Sequence, residues 1–133
     1  MTTPNSAETA MEQYHEALVN RDLDQLAQII DSEAVYLFSN EAHMIGRKEV
    51  MAGIEGNFNA IRDETYKTSK LRWLVRTQKA AVCVYEYHWT GIINEQQMSG
   101  GGRGTNVFRL KDGAWRIVHE HLSKGSLTTG EEP

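Results

Sequence analysis

Residues 102–123 read GRGTNVFRLKDGAWRIVHEHLS, and this stretch decides the fold. Apolar and β-branched residues flank an Asp-Gly pair at 112–113, a dipeptide that favours a tight turn between antiparallel strands. We therefore predict a β-hairpin. Its second strand carries His119, Glu120 and His121, where a core strand is ordinarily apolar. Because polar groups on a sheet cost free energy unless they are paired or solvated, this strand is a candidate wall of a functional site.

Upstream of the hairpin, the first half of the chain has the spacing of helices. Apolar residues recur every three to four positions over about 7–20, and Ser6 precedes them as a candidate N-cap. Asp22 can cap a second helix, and a third helix is expected after Gly46. Before that third helix, the segment AVYLF at 34–38 predicts a short strand.

From about Thr65 the pattern changes to that of strands. Four segments have it: LRWLV (71–75), AAVCVYEYHWTGII (80–93), TNVFRL (105–110) and WRIVHEHL (115–122). A tight turn is expected at 78–79, and the glycines at 100–102 allow a bend or bulge before the next strand. Helices followed by a meander predict an α+β domain. In it, a curved antiparallel sheet wraps around the N-terminal helices as a cone, whose open end is a natural ligand pocket.

Length, charge and composition narrow the classes of protein to which this chain can belong. A chain of 133 residues is expected to form a single domain, with an ordered core over about 7–123 and flexible termini. The net charge of −4 argues against a nucleic-acid partner. No apolar run approaches the ~18 residues that span a bilayer, so no membrane partner is expected. Without a signal-like N-terminus or a second cysteine beside Cys83, we expect a cytoplasmic protein.

The hairpin register decides which polar side chains share a face. A two-residue turn would pair Asn106 with His119. A three-residue turn would pair Asn106 with Val118 and place Glu120 on the face of Asn106. A slip of one residue swaps the two faces of a strand, so the sequence leaves both registers open.

Both faces of the long strand at 80–93 carry apolar or aromatic residues. Helices can cover only one of these faces. The uncovered face suggests a partner subunit, so we expect a homodimer built partly on it.

The chain resembles the nuclear transport factor 2-like superfamily, which includes SnoaL-like polyketide cyclases, ketosteroid isomerases and scytalone dehydratase. The opening YHEALVNRDLDQLAQIIDSEAVYLF resembles the first helices and strand of that group. The ending TNVFRLKDGAWRIVHEHLS is closer still to the association domain of calcium/calmodulin-dependent kinase II. The chain also resembles stand-alone bacterial SnoaL-like proteins. The resemblance implies the cone-shaped fold over nearly the whole chain, but this fold hosts many chemistries and several non-enzymes.

Resemblance to the ketosteroid isomerases implies two site residues. Tyr14 matches a tyrosine that donates to the substrate oxyanion. Asn106 falls where a protonated aspartate is the second donor, and an amide can also donate. The isomerase base, an aspartate, is replaced here by Phe38, which cannot move a proton. The steroid isomerase route is therefore not expected.

Resemblance to the kinase association domain bears on the charge of the cavity. Its cavity arginines match Glu86, Asn106 and Leu122, so its preference for anions should not carry over. The match favours the three-residue turn, in which Glu86, Asn106 and Glu120 face one acidic cavity.

We expect proton-transfer chemistry in that cavity. Glu120 is the first candidate for the proton carrier, because its same-face neighbours Val118 and Leu122 are apolar and would raise its pKa. Tyr14 and Asn106 would polarise a ligand carbonyl, and Glu86 could form a carboxylate pair with Glu120. The further ligand-binding candidates are Phe38, Glu86, His88, Val118 and Leu122.

A metal site is the less favoured interpretation of the last strand. His119 and His121 share a face, but a zinc site needs three or four ligands. The sequence has no HExxH motif and no cysteine pair. We expect neither a metal ion nor a cofactor.

Two functions remain open at this point. The first is a small-molecule-binding SnoaL-like protein. As an enzyme, it would be an isomerase, cyclase or dehydratase that acts by proton transfer on an apolar carbonyl-bearing ligand. The second is a non-catalytic oligomerisation or ligand-sensing domain, as the kinase resemblance implies. An enzyme should have a deep, closed pocket with a carboxylate beside a donor, whereas an assembly module should have a shallow cavity.

Overall fold

The computed structural model describes residues 4–127 and has the predicted α+β architecture. The helices are α1 (Ala7–Asn20), α2 (Leu23–Ile29) and α3 (Arg47–Ala60). The strands are β1 (Ile30–Leu37), β2 (His43–Ile45), β3 (Arg62–Arg76), β4 (Ala80–Ile93), β5 (Gln96–Lys111) and β6 (Ala114–Ser123). Residues 1–3 and 128–133, for which flexibility is expected, lie outside the described residues.

The six strands form one curved, unclosed sheet in the order β2-β1-β6-β5-β4-β3. β1 and β6 are parallel, and the other neighbours are antiparallel. The inner face of the sheet packs on all three helices, and the buried apolar residues lie between helices and sheet. Of the helices within residues 4–127, none is long and apolar enough to cross a bilayer.

Local signals set the helix starts as predicted. The Ser6 side chain accepts a hydrogen bond from the Thr9 N–H (3.1 Å), and Asp22 accepts one from the Gln25 N–H (3.1 Å). α1 ends at Arg21, whose left-handed backbone (φ 54°) turns the chain toward α2. The inner stripe of α1 is mostly small, which lets the helix approach the sheet closely. It consists of Ala7, Ala10, Met11, Tyr14 and Ala17.

The turn of the predicted hairpin has two residues. Asp112 (φ 52°) and Gly113 (φ 79°) both adopt the left-handed conformation that a type I′ turn requires, and Lys111 pairs with Ala114. The three-residue turn expected from the kinase resemblance is therefore wrong.

Farther from the turn, a β-bulge at Val118 shifts the register by one residue. Asn106 pairs with Glu120, not with His119 or Val118, so both predicted pairings are wrong. The bulge nevertheless places Asn106 and Glu120 on the same inner face, which is where the three-residue alternative had placed them.

β5 runs through the glycines at 100–102 without a bulge against β4, so the bulge expected as one alternative there is wrong. Its register with β4 is unbroken from end to end, and a second hairpin turns at residues 94–95. The glycines make room for aromatic side chains. A Cβ on Gly104 would lie 2.6 Å from Cζ of Tyr85 and 2.8 Å from Cδ2 of Leu122. Tyr85 can therefore lie flat across β5 toward β6.

We predict that Gly104→Ala lowers the free energy of unfolding by about 1–3 kcal/mol, because the new methyl group overpacks the interior against Tyr85. Urea titration at fixed pH measures the change. Gly56→Ala is the control: it lies on α3 with open space around it, and should raise stability by about 0.5–1 kcal/mol. Equal stability of Gly104→Ala and the native protein would show that the close approach does not constrain Tyr85.

Candidate functional site

A buried carboxylic acid lies at the centre of the candidate site. Glu120 on β6 is 5% exposed, and its Oε1 accepts a hydrogen bond from the Tyr14 hydroxyl of α1 at 2.7 Å. The Tyr36 hydroxyl of β1 donates in turn to the Tyr14 oxygen at 3.0 Å. A chain of hydrogen bonds thus joins three elements and ends on the carboxyl group of Glu120.

A second tyrosine approaches the same carboxyl oxygen from β4. The Tyr85 hydroxyl lies 2.9 Å from Oδ1 of Asn106 and 3.5 Å from Oε1 of Glu120. Since a phenol has one proton to donate, the shorter contact identifies Asn106 as its main acceptor. The Asn106 amide nitrogen contacts Sδ of Met11 at 3.8 Å. Asn106 is fully buried opposite Glu120 and is not among the residues that line the cavity, so it acts on the Glu120 carboxyl group from within the protein interior.

The Glu120–Tyr14 pair faces a small inner cavity of about 100 Å³. Its walls are mostly apolar and come from α1, α3 and the sheet. The lining residues are Tyr14, Leu18, Phe38, Ile54, Asn57, Phe58, Glu64, Tyr66, Glu120 and Leu122.

A wider vestibule of about 250 Å³ adjoins the inner cavity and shares five lining residues with it. Aromatic rings dominate its walls. Its lining residues are Phe38, Ser39, Asn40, Asn57, Ile61, Glu64, Tyr66, Tyr87, Trp89 and Leu122. Cavity and vestibule therefore adjoin at these shared residues, and the carboxyl group of Glu120 lines the inner one.

Burial raises the pKa of Glu120 to about 7, while hydrogen bonds from Tyr14, Asn106 and Tyr85 act against the rise. Near neutral pH the group is therefore present both as carboxylate and as acid. Burial also raises the pKa of Tyr14 and of Tyr36 well above the usual value, so both phenols stay protonated and can donate.

The structure brings four of the sequence-predicted residues together. Tyr14, Phe38, Glu120 and Leu122 line one cavity. Of the apolar neighbours expected beside Glu120, Leu122 is present. Val118 is not, because it forms the bulge and lies outside the lining of this cavity.

The expectation that Glu86 shares a face with Asn106 and Glu120 is wrong. Across the β4–β5 pair, Cys83 lies opposite Asn106 while Glu86 lies opposite Arg103, so Glu86 is on the outer face. There its Oε2 accepts hydrogen bonds from the Leu127 N–H (2.8 Å) and from Lys70 Nζ (3.3 Å).

His88 lies two residues farther along the same outer face and is exposed, so its expected place beside the cavity is also wrong. The β4–β5 register explains both errors: it pairs Asn106 with Cys83 and so puts Asn106 on the face of the odd-numbered residues of β4, and the bulge in β6 brings Glu120 to that same face. The acidic partner predicted at Glu86 is absent from the cavity.

Sequence reasoning missed a different carboxylate, Glu64 at the start of β3. It lines both the inner cavity and the vestibule, and its Oε1 lies 3.0 Å from Nη2 of Arg21. Burial raises the pKa of Glu64, and Arg21 acts against that rise. A signal was available in the alternation of Glu64, Tyr66 and Thr68, which all lie on the inner side of an edge strand.

Within residues 4–127, no group of three or more His, Cys, Asp or Glu side chains is arranged to hold a metal ion. His119 and His121 have ring centroids 6.1 Å apart. Nδ1 of His119 is hydrogen-bonded to the carbonyl oxygen of Val35 at 2.7 Å, which ties β6 to β1.

The family comparison matches residues 7–126 of the chain to the model of the SnoaL-like domain. No curated protein matches the sequence.

Several solved structures share the fold at low sequence identity. An uncharacterised protein with a cystatin-like fold from Caulobacter vibrioides has a TM-score of 0.79 at 16% identity, over 92% of this chain and 89% of that one. A protein provisionally named a calcium/calmodulin-dependent protein kinase type II association domain, from Thiobacillus denitrificans, has a TM-score of 0.79 at 20% identity, over 95% and 100%. A provisionally named dehydratase of the nuclear transport factor 2-like family, from Streptomyces avermitilis, has a TM-score of 0.77 at 15% identity, over 92% and 95%. These similarities establish the cystatin-like fold.

Glu120 predicts a specific dependence of stability on pH. Because its pKa rises from an ordinary 4.5 to about 7 in the folded state, the native state binds the extra proton between these values. The stabilisation is complete below pH 4.5 and is lost as the pH rises through 7. Relative to Glu120→Gln, which does not titrate, the native protein should lose about 3 kcal/mol of unfolding free energy over that interval.

Urea titrations of both proteins from pH 4 to pH 8.5 give this difference, and other titrating groups cancel in it. Parallel curves for the two proteins would contradict the raised pKa of Glu120.

Proposed function

The chain belongs to the SnoaL-like domain family of the nuclear transport factor 2-like superfamily, and from this we propose that it is an enzyme that moves a proton on an apolar, carbonyl-bearing small molecule. Glu120 carries the proton. The reaction is an isomerisation, a cyclisation or a dehydration, all of which begin with loss of a proton beside a carbonyl group.

One observation carries the proposal: a buried carboxyl group with a pKa of about 7 faces an apolar cavity. A general base works best when its pKa lies near the working pH, because it is then both ionised and basic. An assembly domain has no need of such a group. A carboxyl group beside a phenol in an apolar cavity also supports an enzyme over an assembly module.

The hydrogen bonds suggest a role for each neighbour. Tyr14 already donates to Glu120, so it orients the carboxyl group and stabilises its ionised form. Asn106 fixes Tyr85 and does not reach the ligand. The donors that line the cavity are the Asn57 amide and the Tyr66 phenol, and these are suited to polarise the ligand carbonyl.

In the proposed first step, the Glu120 carboxylate removes a proton from the carbon next to the carbonyl group. The electron pair of that C–H bond forms the C=C bond of an enolate, and the carbonyl oxygen takes the negative charge. In an isomerisation, the Glu120 carboxylic acid returns the proton to a different carbon. In a dehydration, the enolate expels a hydroxyl group on the neighbouring carbon, which takes up the proton and leaves as water.

We predict that Glu120→Gln lowers turnover of an enolisable ketone at least a hundredfold, with ligand affinity within a few-fold, because the amide keeps the shape but cannot carry the proton. A substrate from a screen of ketones and polyketide-like compounds provides the assay. Tyr14→Phe should raise the pKa seen in the rate profile, because a donor to the carboxylate is lost. Glu33→Gln, exposed on β1, is the control. Turnover by Glu120→Gln at the native rate would exclude the proposed role.

We also propose that two copies associate through the outer face of the sheet and that the protein works in the cytoplasm. Neighbouring strands place Val75, Val82 and Val107 in one row on that face. The side chain of Val75 is 47% exposed. Val82 and Val107 are half-buried, and a contiguous, partly exposed apolar row of this kind suits a subunit contact. The single cysteine, Cys83, is buried and free, which suits a reducing compartment.

Sedimentation equilibrium should give a dimer for the native protein at micromolar concentration. Val107→Lys should shift it to monomer, because a charge would be buried in the contact. Lys48→Glu, an exposed change on α3 away from the sheet, is the control and should leave the dimer intact. A native protein that sediments as a monomer contradicts this contact.

A further inference from the structure

The second carboxylate of the cavity, Glu64, is held by one of its two oxygens. Its side chain is 17% exposed, and it lines the inner cavity as well as the vestibule. Oε1 receives the hydrogen bond from Arg21. No described residue donates to Oε2. The buried side-chain atoms without a partner in the described part of the chain are Gln13 Oε1 and His15 Nδ1, so Oε2 of Glu64 is an accessible acceptor.

Arg21 is fixed by contacts that do not involve any ligand. Its Nη2 donates to the carbonyl oxygen of Ile61 at 2.7 Å, and its Nη1 donates to the carbonyl oxygen of Phe58. Its guanidinium carbon lies 5.0 Å from the centre of the Phe58 ring. These contacts join the end of α1 to the end of α3. The guanidinium group therefore stays in place and holds Oε1 of Glu64, while Oε2 remains available.

The other side chains around this space set the charge that a ligand can carry. The residues lining the inner cavity and vestibule include no Lys, Arg or His, and they include the two carboxyl groups of Glu64 and Glu120. An anionic ligand would be repelled by these two carboxyl groups, and no unpaired cation among the lining residues would offset the repulsion. A neutral ligand that offers a hydrogen-bond donor would satisfy Oε2 of Glu64 and avoid that cost.

We propose that Glu64 selects the ligand: the molecule that places its carbonyl end toward Glu120 is neutral and carries a hydroxyl or N–H group that donates to Oε2 of Glu64. This inference rests on the proposed function, because it concerns the other end of the same ligand. Glu64 is then a specificity residue, and Arg21 positions it.

Three aryl ketones of closely similar shape test this proposal. They are 4′-(hydroxymethyl)acetophenone, which has a donor; 4′-ethylacetophenone, which has none; and 4-acetylbenzoate, which is an anion. Calorimetric or NMR titration at pH 7 measures their affinities for the native protein, and for Glu64→Leu, Glu64→Gln and the exposed control Glu95→Gln.

The native protein and Glu95→Gln should bind the hydroxymethyl probe about tenfold more tightly than the ethyl probe, with the benzoate weakest. Glu64→Leu should lose the preference for the hydroxymethyl probe and gain affinity for the benzoate, because the Arg21 guanidinium loses its carboxylate. Glu64→Gln keeps an acceptor and the shape of the side chain, so it should retain a weaker preference for the donor.

Equal binding of the hydroxymethyl and ethyl probes by the native protein would overturn the inference. So would a preference that persists in Glu64→Leu, since a purely structural role for Glu64 would affect all three probes alike. If none of the probes binds the native protein, the proposed function fails first, and the inference fails with it. Glu120→Gln should lose turnover but keep the preference for the hydroxymethyl probe. The role of Glu120 in proton transfer and the role of Glu64 in ligand selection are thus tested separately.

Discussion

Burial of one carboxyl group constrains much of this structure. Glu120 loses its water on folding, and that loss is tolerable only if protein groups replace the water. Tyr14 of α1 supplies the shortest hydrogen bond, with Tyr36 of β1 behind it and Tyr85 of β4 close by. The position of α1 on the sheet is consequently tied to the chemistry of the cavity. A shift of that helix would separate the phenol from the acid and leave both unsatisfied.

The fold was predictable where the signals are local. Ser6 and Asp22 cap helices because their side chains reach backbone N–H groups three residues away, and Asp112-Gly113 adopts the backbone angles of its turn unaided. The short strand β2 and the early start of β3 were missed. Their hydrogen-bond partners lie far away in the chain, and their residues alternate only weakly.

The site was half predictable for a similar reason. Tyr14, Phe38 and Leu122 were identified by family resemblance, which carries information about tertiary structure. Glu120 was identified as a polar residue between apolar neighbours on a core strand. The face of Glu86 was assigned wrongly by the kinase resemblance, because the β4–β5 register pairs Asn106 with Cys83. The face of Val118 was assigned wrongly by alternation. Alternation assigns faces by counting residues along a strand, and a bulge adds one residue to that count. The composition of the strand does not reveal the bulge. Glu64 was missed because its significance depends on Arg21, which is 43 residues away.

The bulge at Val118 has an evolutionary consequence. β1 also breaks its register with β6 beside this point, because β1 advances five residues from Ile30 to Val35 while β6 advances two from Ile117 to His119. Deleting Val118 itself would leave Glu120 opposite Asn106, whereas a ladder that kept Val118 paired would move every later residue of β6 by one position and exchange their faces. The imidazoles of His119 and His121 would then turn toward the cavity and the carboxyl group of Glu120 toward the outside. In such a sheet, the chemical character of the pocket can change through the gain or loss of a single bulge, without any substitution among the residues that line it.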